Sequence, residues 1–237
     1  NTLRIVEQGK SFILIVNEMR GSELYYKHHN QKVGDQHFVQ SVRDLAKNNK
    51  ILTIIDNTFA SPVNQNPIEF GLDIVIHSAT KYLGGHSDIS AGAVVSTEKN
   101  INLILNSAKN FGGNLSDYTV WLLERSIKTL HIRVKEQTNN AKILAKMLDE
   151  NTNISKVYYP GLESHPSHEI AKSQMNDFGG MMSFDLNNNI DVYDFLKSLN
   201  LVKPGMSLAG VESTVNFPMK TSHGLMTQKE RDIQGIG

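Results

Sequence analysis

The residues best suited to chemistry lie between positions 56 and 88. Asp56 closes one short apolar run (51–55), and Ser78, Thr80 and Lys81 follow another (74–76). If both runs are neighbouring strands of a parallel sheet, their carboxyl ends open on one crevice, which is where α/β sheets bind ligands. One carboxylate, two hydroxyls and one amine would meet there. A lysine held among apolar strands gives up its proton more readily and becomes able to form a Schiff base. A carboxylate keeps a pyridine nitrogen protonated, and hydroxyls bind phosphate. These are the needs of pyridoxal phosphate, an electron sink bound through a lysine. Gly84 and Gly85 come directly after this group; they break any helix and allow close backbone approach.

The elements that must position these groups read as an α/β alternation. Strands are expected at 12–16, 51–55, 74–76 and 91–95, and a helix carries Val39, Val42, Leu45 and Ala46. Continuous apolar runs separated by helices predict a sheet covered on both faces. Residues 117–149 keep helical spacing as one long stretch with room for a break. Shorter units follow: a strand near Val157, a helix after Pro166, a strand at 181–184 and a helix at 192–199. The long stretch then joins a first domain, 1–132, to a smaller one, 133–237.

Composition narrows the class. The 237 residues carry 24 basic and 24 acidic side chains, a formal charge of zero. Nucleic acids and anionic membranes favour a basic excess, so neither is expected as a partner. No apolar run nears the roughly 20 residues that span a bilayer. With no cysteine, disulfides, thiolate nucleophiles and cysteine-ligated metal sites are excluded. The chain begins at Asn1 without a basic, then apolar, leader, and a cytoplasmic protein is expected. Among 23 asparagines, the sequons at Asn114 and Asn153 read as chance. No metal site is expected.

Asp56-Asn-Thr-Phe-Ala-Ser-Pro62 and His77-Ser-Ala-Thr-Lys-Tyr-Leu-Gly-Gly-His-Ser-Asp88 resemble the Cys/Met-metabolism family of pyridoxal-phosphate enzymes. Glu124-Arg-Ser-Ile-Lys-Thr-Leu-His-Ile-Arg133, Tyr159-Pro-Gly161, Phe178-Gly-Gly-Met-Met-Ser-Phe184 and Ser207-Leu-Ala-Gly-Val-Glu-Ser213 extend the similarity. The resemblance implies an α/β fold of the aspartate-aminotransferase type (fold type I), as a partial cofactor domain and part of a smaller second one. It implies that Lys81 binds the cofactor covalently and shuttles protons, and that Asp56 pairs with the ring nitrogen. Ser78 and Thr80 would contact the phosphate. Ser207 would lie at the substrate carboxylate and Glu212 near the substrate's distal end. The implied activity is elimination or replacement at Cγ of a sulfur or homoserine-derived amino acid, by a homodimer or homotetramer. Cystathionine β-lyase and methionine γ-lyase share these motifs and remain alternatives.

The chain departs from the family at both ends. The family has Glu-(Ser/Thr)-Pro-(Ser/Thr)-Asn-Pro where this chain has Glu18-Met-Arg-Gly-Ser-Glu23. The asparagine beside the cofactor's phenolic oxygen is therefore missing, with Ser22 and Asn30 as candidate replacements. The Gly-rich phosphate turn, the ring-stacking tyrosine and the carboxylate-clamping arginine have no counterpart, so a fragment of a longer protein is expected, with the similarity running from about Val39 to Gly237 and residues 1–38 set apart. An inactive scaffold on this fold is the reading from another class. Ser78-Ala-Thr-Lys81 also fits the Ser-x-x-Lys motif of penicillin-recognising enzymes, which requires the serine to open a helix. His165-Pro-Ser-His168 reads as loop histidines, and His28–His29 as surface.

Overall fold

A computed structural model of the chain describes residues 4–8, 11–17 and 38–234, with side chains from 43 to 231. Glu18 to Glu23, Asn30 and His28–His29 lie outside the described residues. One sheet has the order β1 (Arg4–Gln8), β2 (Ser11–Asn17), β3 (Leu52–Asp56), β4 (Ile74–Ser78), β5 (Gly92–Ser96). β2, β3 and β4 run parallel, while β1 and β5 pair antiparallel on the two sides. Isoleucine and valine dominate β2 to β4, as suits a pleated, enclosed surface. α1 (Phe38–Asn48) precedes β3, and its Ala46 packs with Ile55, Leu72 and Val75.

Register in the middle of the sheet is fixed at the strand entrances. Asp73 Oδ2 accepts from Thr53 N–H at 2.8 Å and from the Thr53 hydroxyl at 2.7 Å; Asp73 N–H donates back to Thr53 Oγ1 at 2.8 Å. With the entrances locked, Asp56 pairs with Ile76, and Ser78 ends β4 two residues on. β5 departs from the expected covering on both faces, with Val94 39% and Val95 52% exposed. These consecutive residues point to opposite faces, so at this antiparallel edge both faces of β5 are partly bare.

After β5 come α2 (Glu98–Phe111), α3 (Asp117–Ile127) and α4 (Leu130–Asp149). The sequence reading had not singled out α2 or β1. The expected long helical stretch breaks at Lys128 and Thr129. There the Ser126 carbonyl, which would bond Leu130 N–H in an unbroken helix, instead accepts from Thr129 N–H at 3.2 Å, the Thr129 hydroxyl at 3.2 Å and Arg133 Nη2 at 2.9 Å. α4 buries Leu130, Val134, Thr138, Ala141 and Ala145, one stripe at helical spacing. The start of that stripe packs on Ala79, Tyr82 and Leu83; its end packs on Val157 and Tyr159. The antiparallel pair β6 (Ile154–Tyr158) and β7 (Ser183–Leu186) and the helices α5 (His168–Gln174) and α6 (Val192–Ser198) complete this part. Two short parallel strands, Lys203–Pro204 and Thr214–Val215, frame the loop between them. Among the described residues, no helix is long and apolar enough to cross a membrane.

Candidate active site

The carboxyl ends of β3 and β4 place Asp56 and Ser78 side by side, and Thr58 joins them. Asp56 Oδ1 accepts the Thr58 hydroxyl at 2.6 Å and the Thr58 N–H at 3.0 Å. The same hydroxyl oxygen accepts from Ser78 N–H at 2.7 Å. No described residue donates to Asp56 Oδ2. Asn57, 1% exposed, continues the strand pairing through its N–H to Ile76 O at 2.9 Å, and its side chain donates to Gln65 O at 2.9 Å. The turn behind Asp56 is thereby closed by buried amides.

After Ser78 the chain coils into a tight turn. Lys81 N–H donates to Ser78 O at 3.0 Å, Gly84 N–H to Ala79 O at 2.8 Å and Gly85 N–H to Lys81 O at 2.7 Å. A Cβ on Gly84 would stand 2.9 Å from Ala79 O and from Ile89, so only glycine fits. Gly85 takes φ +70° and ends the turn. Thr80 pins the turn to β5: its hydroxyl accepts from Ala91 N–H at 3.0 Å and donates to Ala91 O at 3.3 Å. A phosphate contact would take the proton of that second, longer bond. The Ser78 hydroxyl has no hydrogen-bond partner among the described residues.

Lys81 is half-buried, and its Nζ lies 3.5 Å from Ser207 Oγ. No described carboxylate comes within ion-pairing range of that amine. The loop carrying Ser207 reaches over from 126 positions away, packing Leu208 and Ala209 on the Tyr82 cluster. Gln137 holds it from α4, with Nε2 donating to Gly210 O at 2.8 Å. Glu212 is exposed, its Oε2 3.0 Å from where a Gly210 Cβ would stand. Ser61, at the start of the short helix Ser61–Asn64, and the loop residues Ser87 and Ala209 adopt left-handed backbone (φ +59°, +58°, +66°). Strain of this kind gathers where loops are over-determined by their surroundings.

Burial shifts two titrating groups here. His77 sits inside the sheet beside the site; burial lowers its pKa, and the Asp56 charge opposes part of that. Tyr82 is pushed up to about 12 by burial, although the Gly180 N–H hydrogen-bonded to its oxygen works the other way.

The structure brings Asp56, Ser78, Thr80, Lys81 and Ser207 together and leaves Glu212 at the rim. Ser78 ends a strand and opens no helix, so the Ser-x-x-Lys reading lacks its required geometry. His168 stacks on Phe178 at 5.2 Å and its Nδ1 lies 2.8 Å from Pro160 O; it serves its own loop. Thr58, Gln137 and Arg133 were not assigned roles from sequence. Thr58 stood inside a quoted motif, but nothing in a linear chain says that one hydroxyl spans two strand ends.

Among the described residues, the strand-end carboxylate keeps one oxygen without a donor, the lysine after the neighbouring strand has no carboxylate partner and the Ser78 hydroxyl has no partner, a set that matches the needs of pyridoxal phosphate. The residues fit that group: acceptor for the ring nitrogen, hydroxyl donor for phosphate, amine for the carbonyl carbon. The sequence profile of the Cys/Met metabolism PLP-dependent enzyme family matches residues 30–237, and the chain belongs to that family. It is 44% identical over 199 residues to a cystathionine beta-lyase of Lactococcus lactis subsp. cremoris, covering 84% of this chain and 52% of that relative. It is 43% identical over 194 residues to a cystathionine gamma-lyase of Bacillus subtilis, covering 81% and 51%. Cystathionine gamma synthase from Xanthomonas oryzae pv. oryzae, solved in complex with cystathionine, superposes with a TM-score of 0.84 at 34% identity, covering 95% of this chain and 56% of that one. The chain thus spans about half the length of the curated relatives it matches. Its architecture is that of fold-type-I pyridoxal-phosphate enzymes.

Proposed function

We propose that the protein containing this chain is a carbon–sulfur lyase or transferase that eliminates or replaces a group at Cγ of a sulfur or homoserine-derived amino acid. The observation that carries the reading is the joint placement of Asp56, Ser78 and Lys81 at the ends of adjacent parallel strands. Once bound, pyridoxal phosphate supplies the electron sink that makes an amino acid's Cα proton removable. Asp56 Oδ2 holds the proton on the ring nitrogen, and Thr58 keeps Oδ1 facing away. The Ser78 and Thr80 hydroxyls hold the phosphate. Lys81 Nζ takes the proton from Cα and delivers it where the leaving group's departure needs it, as a positioned general base and acid. Ser207, beside Nζ, stands on the substrate side and orients the α-carboxylate, while Glu212 stands at the distal end of the substrate. The chain supplies much of a cofactor domain (1–132) and part of a second domain (133–237), connected through α4. Self-association is part of the proposal, supported by the exposed, stacked Tyr118 and Trp121 on α3.

β-Elimination is the second reading, because relatives called cystathionine beta-lyase match as well as the gamma-lyase does. Products from cystathionine separate the two. Cleavage at Cγ releases cysteine, 2-oxobutanoate and ammonia; cleavage at Cβ releases homocysteine, pyruvate and ammonia. Neither oxo acid from the full natural chain loaded with cofactor, with no exchange on an activated homoserine either, would overturn the enzyme reading in favour of an inactive scaffold.

A further inference from the structure

Arg133 projects from the first turns of α4, and none of the roles above uses it. Its guanidinium donates from Nη1 to Tyr82 O at 2.9 Å, from Nη2 to Ser126 O at 2.9 Å and from Nε to Thr129 Oγ1 at 3.2 Å. The bonds to Ser126 and Thr129 would suffice to cap the helix break. The bond to Tyr82 does something else, because Tyr82 is the residue after Lys81. On the same side Gly85, at φ +70°, offers a bare backbone: a Cβ there would overlap Arg133 Nη1. The guanidinium therefore fills the space that a side chain at Gly85 would occupy. His86 Nδ1, 2.7 Å from Gly84 O and 3.4 Å from Ser126 Oγ, ties the loop to the same break. No described carboxylate pairs with Arg133, so its rigid fork of donors is spent on backbone oxygens and one hydroxyl.

We propose that Arg133 is a positioning residue, holding the Tyr82–Gly85 backbone against α4 so that Lys81 Nζ stands where it attaches the cofactor and moves the substrate proton. The proposal rests on the reading of Lys81 given above. A lysine at 133 keeps the charge but reaches one acceptor at a time, so the loop loses its second anchor without losing the cation. Replacing Gly85 attacks the same contact from the other side and leaves Arg133 in place.

The test uses the full natural chain, first freed of cofactor and then given pyridoxal phosphate. Attachment at Lys81 is followed by borohydride reduction and mass spectrometry, alongside kcat, KM and the melting temperature of the cofactor-free protein. Arg133→Lys should melt near the unmodified protein, yet slow attachment and lower kcat by about tenfold or more, with KM changed by less than about twofold. In Arg133→Ala, added guanidinium ion should recover part of the attachment rate. Gly85→Ala should act in the same direction and should cost clearly less in the Arg133→Ala background, because the overlap is gone. Attachment and kcat within about twofold of the unmodified protein for Arg133→Lys, or strictly additive effects of the two sites, would overturn the proposal. A reduced adduct on a different lysine in the unmodified protein would instead overturn the parent reading, and this one with it.

Discussion

The Thr58 hydroxyl stands 2.6 Å from Asp56 Oδ1 and takes the backbone N–H of Ser78 at 2.7 Å on its other side. One small side chain therefore orients the carboxylate and fixes the start of the lysine loop. Because Thr58 is only 8% exposed, water cannot replace either bond cheaply. Thr58→Val keeps the shape and removes the hydroxyl. It should destabilise the protein by about 1–3 kcal/mol, the cost of leaving buried polar groups unmade. The urea midpoint should fall accordingly, and Thr58→Ser should retain most of the stability; an unchanged midpoint in Thr58→Val would contradict this role.

Asp56→Ala removes the acceptor proposed for the ring nitrogen while leaving β3 and its register intact. Turnover should drop on the order of a hundredfold or more, the scale of losing a preorganised electrostatic partner. Far-UV circular dichroism should be unchanged. Near-normal turnover would exclude the role.

Borohydride treatment of the cofactor-loaded protein should leave one reduced adduct, on the peptide containing Lys81. Lys81→Ala should give none, although the variant should still fold, since among the described residues Nζ makes only the 3.5 Å contact to Ser207 Oγ. Peptide mass spectrometry decides between Lys81 and every other lysine.

Stability should fall on mild acidification. His77 and His165 both have pKa values lowered chiefly by burial, with His168 and Lys156 adding to the effect at His165. The unfolded chain binds protons on these groups as pH drops through the ordinary value of 6.5, while the folded chain resists. More protons bound in the unfolded state means stability rises with pH. The cost is therefore absent well above 6.5 and grows below it, until the folded histidines titrate too. Urea midpoints at several pH values should show this slope, and the double variant His77→Gln/His165→Gln should flatten it. A slope that survives the double substitution would assign it to other groups.

Much of this was legible beforehand because it was local. The apolar runs at 51–55 and 74–76 announced strands, and the glycines at 84 and 85 announced a turn that a helix could not cross. Lys81 and Asp56 stood out by residue type next to those signals. The helix break at Lys128–Thr129 was less legible, since the apolar spacing continues straight through it; the break depends on Arg133 and Thr129 capturing one carbonyl. β1 was missed because Arg4–Gln8 holds just two apolar residues, the adjacent Ile5 and Val6, too short a signal by itself; the strand gains its place by pairing with β2.

What the sequence alone determined is the chemical inventory: which groups exist near Lys81, and the periodicities that make strands or helices of the segments bearing them. Those properties are set by side-chain type and neighbours along the chain. Which groups meet was set by the fold. Ser207 lies 126 positions from Lys81, Arg133 lies 51 from Tyr82, and Gln137 lies 73 from Gly210. Such contacts follow from how strands register and how α4 crosses between two clusters, and a one-dimensional pattern holds no information about distances of that kind.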